Sequence, residues 1–145
     1  MANPARVQEK AAFTNTFTVT LDASPTNGNY LIALGYRVGS SIPPVNTGAG
    51  WVSLSSENRV GSYDPWTTIA YKQAGVGESA TQTPFTGAVT ACGVDVIEVA
   101  NLVGTFTDRV QYSAYASGSG GSGAAGTLTV SQNHNTSADN TLAIG

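Results

Sequence analysis

The stretch FTNTFTVTLDASPTNGNYLIALGYRV, Phe13 to Val38, decides the fold class. Its first part, FTNTFTVTL, alternates apolar side chains with threonines and an asparagine. Period-two alternation describes a half-buried strand with hydroxyl-bearing, β-branched residues on its solvent face. ASPTNGN then supplies turn chemistry, because Pro25 presets φ and Asn27-Gly28 tolerates a positive φ. YLIALGYRV comes next, apolar without interruption through Leu34, as expected of a strand buried on both faces. The stretch therefore reads as strand, turn and strand.

Working outward, WVSLS (51–55), TTIAYKQA (67–74), SATQTPFT (79–86), TACGVDVIEVA (90–100), RVQYSAYA (109–116) and TLTVSQ (127–132) read as further strands, each bounded by Gly, Pro, Asn or Ser. No window sustains the i, i+3, i+4, i+7 spacing of an amphipathic helix. The segment GSSIPPVNTGAG (39–50) reads as a long connection, since Pro43-Pro44 would remove two adjacent ladder donors. SGSGGSGAAG (117–126) reads as a flexible loop at a sheet end. NTLAIG at the end of the chain reads as a last strand or as one that continues past Gly145. The predicted fold is all-β: an antiparallel β-sandwich, jelly-roll-like, of about eight strands over residues 13–145. Residues 1–12, MANPARVQEKAA, are more charged than the rest of the chain and lack alternation. They read as an extended N-terminal arm.

At 145 residues the chain has one domain's length. Folding it would leave about 7,000 Å² of surface against about 21,000 Å² when extended, enough burial for a core without disulfides or metals. The single Cys92 makes no internal bridge and reads as a buried, inert thiol. Charged residues are only 10% of the chain, so its polar surface is Thr, Ser, Asn and Gly, which suit close protein contacts. A net charge of −3 with six scattered Lys and Arg argues against nucleic acid. No apolar run has the ~20 residues of a membrane helix, and the N-terminus lacks a hydrophobic signal core. The expectation is a soluble protein made in the cytoplasm.

Candidate chemistry is sparse. Lys72 and Glu78 flank AGVG and read as a cross-strand ion pair at a hairpin tip. His134 lies in a polar loop with no Cys or second His beside it, so it cannot build a zinc site. The acidic residues form no D-x-D-x-D-G loop, which leaves open a calcium site assembled from separate loops. Asp95 and Glu98 read as marking the exposed face of their strand, without a general-acid setting for a glycosidase pair. There is no G-x-S-x-G elbow and no phosphate loop. No catalytic residue, metal or cofactor is assigned, and an enzyme is not expected. Trp51 reads as a core residue. YDPW (63–66) reads either as an exposed aromatic loop or as a cover over one end of the sandwich.

GNYLIALGYR (28–37), GAGWVSL (48–54), TTIAYKQAGVGESATQTPF (67–85) and GVDVIEVANL (93–102), in that order, resemble a β-sandwich module of tailed-bacteriophage virion proteins and related bacterial sequences. The resemblance spans about residues 13 to 103 and rests on framework and turn residues. It implies a structural virion component, foremost a capsid decoration (cement) protein bound to the outside of the shell. The implied partner is the major capsid protein, and the implied assembly is a homo-oligomer, a trimer being favoured. Partner-binding residues would be Pro4, Arg6, Val7, Gln8 and Lys10 of the arm, with Tyr63 and Trp66. The alternative is a receptor- or glycan-binding module of a tail fibre or adhesin, with YDPW and Trp51 against sugar.

Overall fold

A computed structural model describes residues 4–13, 15–38, 47–58, 65–87, 91–102, 128–131 and 141–144. The expected strand 109–116, the loop 117–126, His134, Tyr63 and most of the connection 39–50 lie outside the described residues, as does the side chain of Trp66.

Among the described residues nine strands form: β1 (Ala5–Ala12), β2 (Val19–Thr20), β3 (Tyr30–Val38), β4 (Val52–Asn58), β5 (Pro65–Gln73), β6 (Thr81–Gln82), β7 (Cys92–Ala100), β8 (Leu128–Ser131) and β9 (Thr141–Ile144). The described residues contain no helix. The fold class is all-β, and its ladders are antiparallel. The chain divides into two compact units: residues 6–100, and residues 1–5 with 101–145. That boundary differs from the expected division at residue 12. Of the second unit, the described part is a two-stranded ladder in which Leu128 opposes Ile144 and Ser131 opposes Thr141.

The larger unit is built on a five-stranded sheet in the order β1-β7-β3-β5-β4. β3 lies at its centre, paired along its length with β5 and β7. Its register puts Leu31, Ala33, Gly35 and Arg37 on one face, beside Glu98, Val96, Val94 and Cys92 of β7 and Lys72, Ala70 and Thr68 of β5. Against this face sit Phe17, Val19, Leu21, Trp51 and Phe85, which complete the core. The rings of Phe17 and Phe85 meet edge to face at 5.6 Å. Gly35 is there because Phe85 is: a Cβ at that position would lie 2.6 Å from the ring. The opposite face carries Tyr30, Ile32, Ile69, Ile97 and Val99, all buried, with Leu34 half-exposed.

Three expectations are corrected. Among the described residues of Phe13–Leu21, only Val19 and Thr20 pair as a strand, opposite Gln82 and Thr81. Phe17, Val19 and Leu21 still point inward, so the alternation records facing rather than a ladder. The segment around AGVG is not a hairpin, because β5 pairs with β3 and β4 whereas β6 pairs with β2. Residues 5–12 are not an extended arm but the edge strand β1. Both faces of β1 are largely solvated, which is why its sequence lacks alternation.

Candidate functional site: the β1 edge and its carboxylates

β1 adds to β7 as the outermost strand. Gln8 lies beside Glu98 and the carbonyl of Ala12 beside Gly93, so the two strands run in opposite directions. Gly93 permits the approach: a Cβ there would lie 2.9 Å from the Ala12 oxygen and would collide with Tyr36 Oη.

β1 buries little apolar surface of its own; Val7 is 50% and Phe13, just past the strand, 71% exposed. What holds it is polar. Gln8 Nε2 donates to Glu98 Oε2 at 2.5 Å and to the Ala23 carbonyl at 3.1 Å, while Gln8 Oε1 accepts from Ala23 N at 3.2 Å. Lys10 Nζ reaches Asp22 Oδ1 at 2.7 Å. The contacts to Ala23 and Asp22 join β1 to the segment that leads from β2 towards β3.

Glu98 is the hub. Its carboxylate is fully buried, and it also accepts from the Thr26 backbone N at 2.9 Å and Asn29 Nδ2 at 2.6 Å. Burial alone would raise its pKa, but the donors from Gln8, Asn29 and Thr26 outweigh it and hold the group below the ordinary carboxylate value. Asp95, three positions earlier, emerges on the opposite face. Burial pushes its carboxyl up to about 6, and Glu9 of β1, hydrogen-bonded to it, adds to the rise. Arg6 draws it back somewhat and pairs with Glu9 along the strand. The expectation that Asp95 and Glu98 mark one exposed face is therefore corrected. An odd spacing in a strand sends them to opposite faces, and neither is freely solvated.

A second cluster surrounds Lys72. Its Nζ lies 2.8 Å from Glu78 Oε1 and 5.7 Å from the centroid of the Trp51 ring. Gln82 Nε2 donates to the same Glu78 oxygen at 3.1 Å. The pair is more enclosed than a hairpin-tip contact, each side chain being 16% exposed. Trp51 is buried in the core, as its sequence setting predicts. The cluster ties the segment between β5 and β6 to the start of β4.

Arg37 is also buried, and among the described residues its Nε and Nη2 have no partner. Burial pulls its pKa below the ordinary value, with Cys92 opposing that fall. Among the described residues no three His, Cys, Asp or Glu side chains gather as metal ligands. No helix among those residues is long and apolar enough to cross a membrane.

Of the residues anticipated from sequence, the structure brings Arg6, Val7, Gln8 and Lys10 together on β1, with Pro4 just before it. Gln8 and Lys10 are engaged by the protein itself; Val7 and the outer part of Arg6 face solvent. Trp66 lies within β5, its backbone opposite Arg37 and Asn58, rather than in a loop. The sequence does not mark Glu98, Asp95, Ala23 and Asp22 as partners of β1, although the odd spacing of the first two in a strand is visible in it.

No family model, curated protein or solved structure matches the chain.

Proposed function

We propose that the protein is a structural virion component that binds the outer surface of a bacteriophage capsid and stabilises the shell by bridging its subunits. The observation that supports this best is β1: an edge strand held by polar contacts on its inner side, with Val7 and the following Phe13 turned to solvent. An edge strand offers unpaired backbone groups and has a natural use in adhesion. Low overall charge suits contacts that are flat and repeated, where many interfaces of about 1,600 Å² would oppose the pressure of packaged DNA. Self-association, with a trimer favoured, places several copies of β1 around one axis. The fuller reading of the architecture as a jelly-roll-like sandwich belongs to the same proposal, as does the assignment of Tyr63 and Trp66 to partner contact. The glycan-binding alternative loses one of its aromatic anchors, because Trp51 is enclosed in the core.

Co-sedimentation with expanded capsids tests the reading. The intact chain pellets with the shells, and deletion of residues 1–12 abolishes pelleting. Equal pelleting by both chains would remove β1 from the interface. Binding of the intact chain to a sugar array but not to shells, lost in Trp66→Ala, would transfer the assignment to the glycan module.

A further inference from the structure

We propose that the edge of β7 covered by β1 in the single chain accepts β1 of a second copy of this chain, so that subunits are linked by strand exchange. The inference rests on the self-association proposed above but not on capsid binding.

Three features of the larger unit support it. First, the acceptor is finished only by a strand that contributes little core. β7 is buried almost throughout, whereas six of the eight residues of β1 are exposed. Second, the acceptor depends on what β1 brings. Glu98 is a fully buried carboxylate, and Gln8 is the donor to its Oε2, so an empty edge would leave buried charge short of a partner. The occupant is thus specified: a strand with an amide at the Gln8 position and an ammonium two residues later for Asp22. This chain's own residues 5–12 meet both requirements. Third, β1 is tied down by side-chain contacts to residues 22, 23, 95 and 98 rather than by an apolar face, which is the profile of an element that opens below the global unfolding free energy.

Exchange conserves every one of these contacts, since the same atoms meet in trans. The association entropy must then be offset by contacts made only between copies. Val7 and Phe13, on and just past β1, are exposed on the single chain and available for such contacts. Reciprocal exchange between two copies closes as a dimer, and exchange passed from each copy to the next closes into a ring when the rotation permits.

The test uses the full chain in a Cys92→Ala background. Lys10→Cys and Asp22→Cys are placed on separate chains, co-expressed, and treated with a short bis-maleimide. Light scattering of the unmodified protein gives its mass, and denaturing electrophoresis reads the bridged product. The expected result is an oligomer, with a covalent product joining a Lys10→Cys chain to an Asp22→Cys chain. A monomer at high micromolar concentration overturns both the exchange and the self-association beneath it. An oligomer without the cross-chain product overturns the exchange alone, most plainly if a chain carrying both cysteines closes on itself.

Discussion

Gln8 and Glu98 stand 90 positions apart in the chain, yet their side chains meet at 2.5 Å, amide against a carboxylate with no exposed surface. The contact couples the outermost strand of the sheet to the most enclosed charge described in the larger unit. Beyond it, β1 is held by its backbone, by the bonds of Gln8 to Ala23 and by the Lys10–Asp22 pair.

Removing the carboxylate tests how much depends on that hub. Glu98→Ala removes the shared, fully buried acceptor of Gln8, Asn29 and the Thr26 N–H. The expected loss is about 3 kcal/mol in urea unfolding, as for other broken buried charge networks. Amide exchange along β1 would accelerate more than exchange along β3.

The pH dependence of stability has two limbs with opposite sign. Asp95 titrates near 6 in the fold against 3.8 ordinarily, so the folded state holds its proton more tightly. Its contribution is present below the ordinary pKa and is lost as pH rises to about 6. Glu98 and Glu78 are shifted downward, so their contributions are present above the ordinary carboxylate range and lost as pH falls through it. Stability should therefore peak in mildly acidic solution. Asp95→Asn should flatten the upper limb and stabilise the protein at pH 7 by about 1 kcal/mol, a figure reduced because the group is only half-buried. A melting temperature that climbs steadily from about pH 4 to pH 8 would contradict this.

Lys72 and Glu78 form a partly enclosed pair that shares Gln82 and Trp51. A double-mutant cycle with Lys72→Met and Glu78→Gln should give a coupling of about 1 kcal/mol, above the few tenths usual for exposed pairs. A coupling indistinguishable from zero would reduce the cluster to surface decoration.

Gly35 faces Phe85 with no room for a methyl group. Gly35→Ala should cost about 2 kcal/mol through overpacking. The smaller side chain of Phe85→Leu should restore part of that loss when the two changes are combined, even though it is destabilising alone.

The central sheet was legible because its residues do one thing at a time. Tyr30–Val38, an uninterrupted apolar run over its first half, is β3, buried on both faces over most of its length, and Cys92–Ala100 lies within the strand expected at 90–100. The turn at Asn27-Gly28 also falls where its chemistry places it, with Gly28 at φ 88°. Legibility failed where facing and pairing part company. Phe17, Val19 and Leu21 keep an inward period of two, but only two residues of β6 lie opposite, so the ladder is short. β1 fails in the other sense: its backbone joins a sheet while both its faces meet water, and no hydrophobic period marks it. The Gln8–Glu98 contact joins distant segments through side-chain geometry that local pattern does not encode. Lys72 and Glu78 pair as their spacing suggests, whereas the passage of the chain from one sheet to another around them is not marked in that spacing.

The most direct test of a capsid-binding role is the composition of the particle itself. On the proposed role, quantitative mass spectrometry of purified virions should find this chain in a fixed stoichiometry with the major capsid protein, and deletion of residues 1–12 should remove it from the particles and weaken the shell. Its absence from intact particles, or its presence only in the few copies of a tail component, would contradict that role.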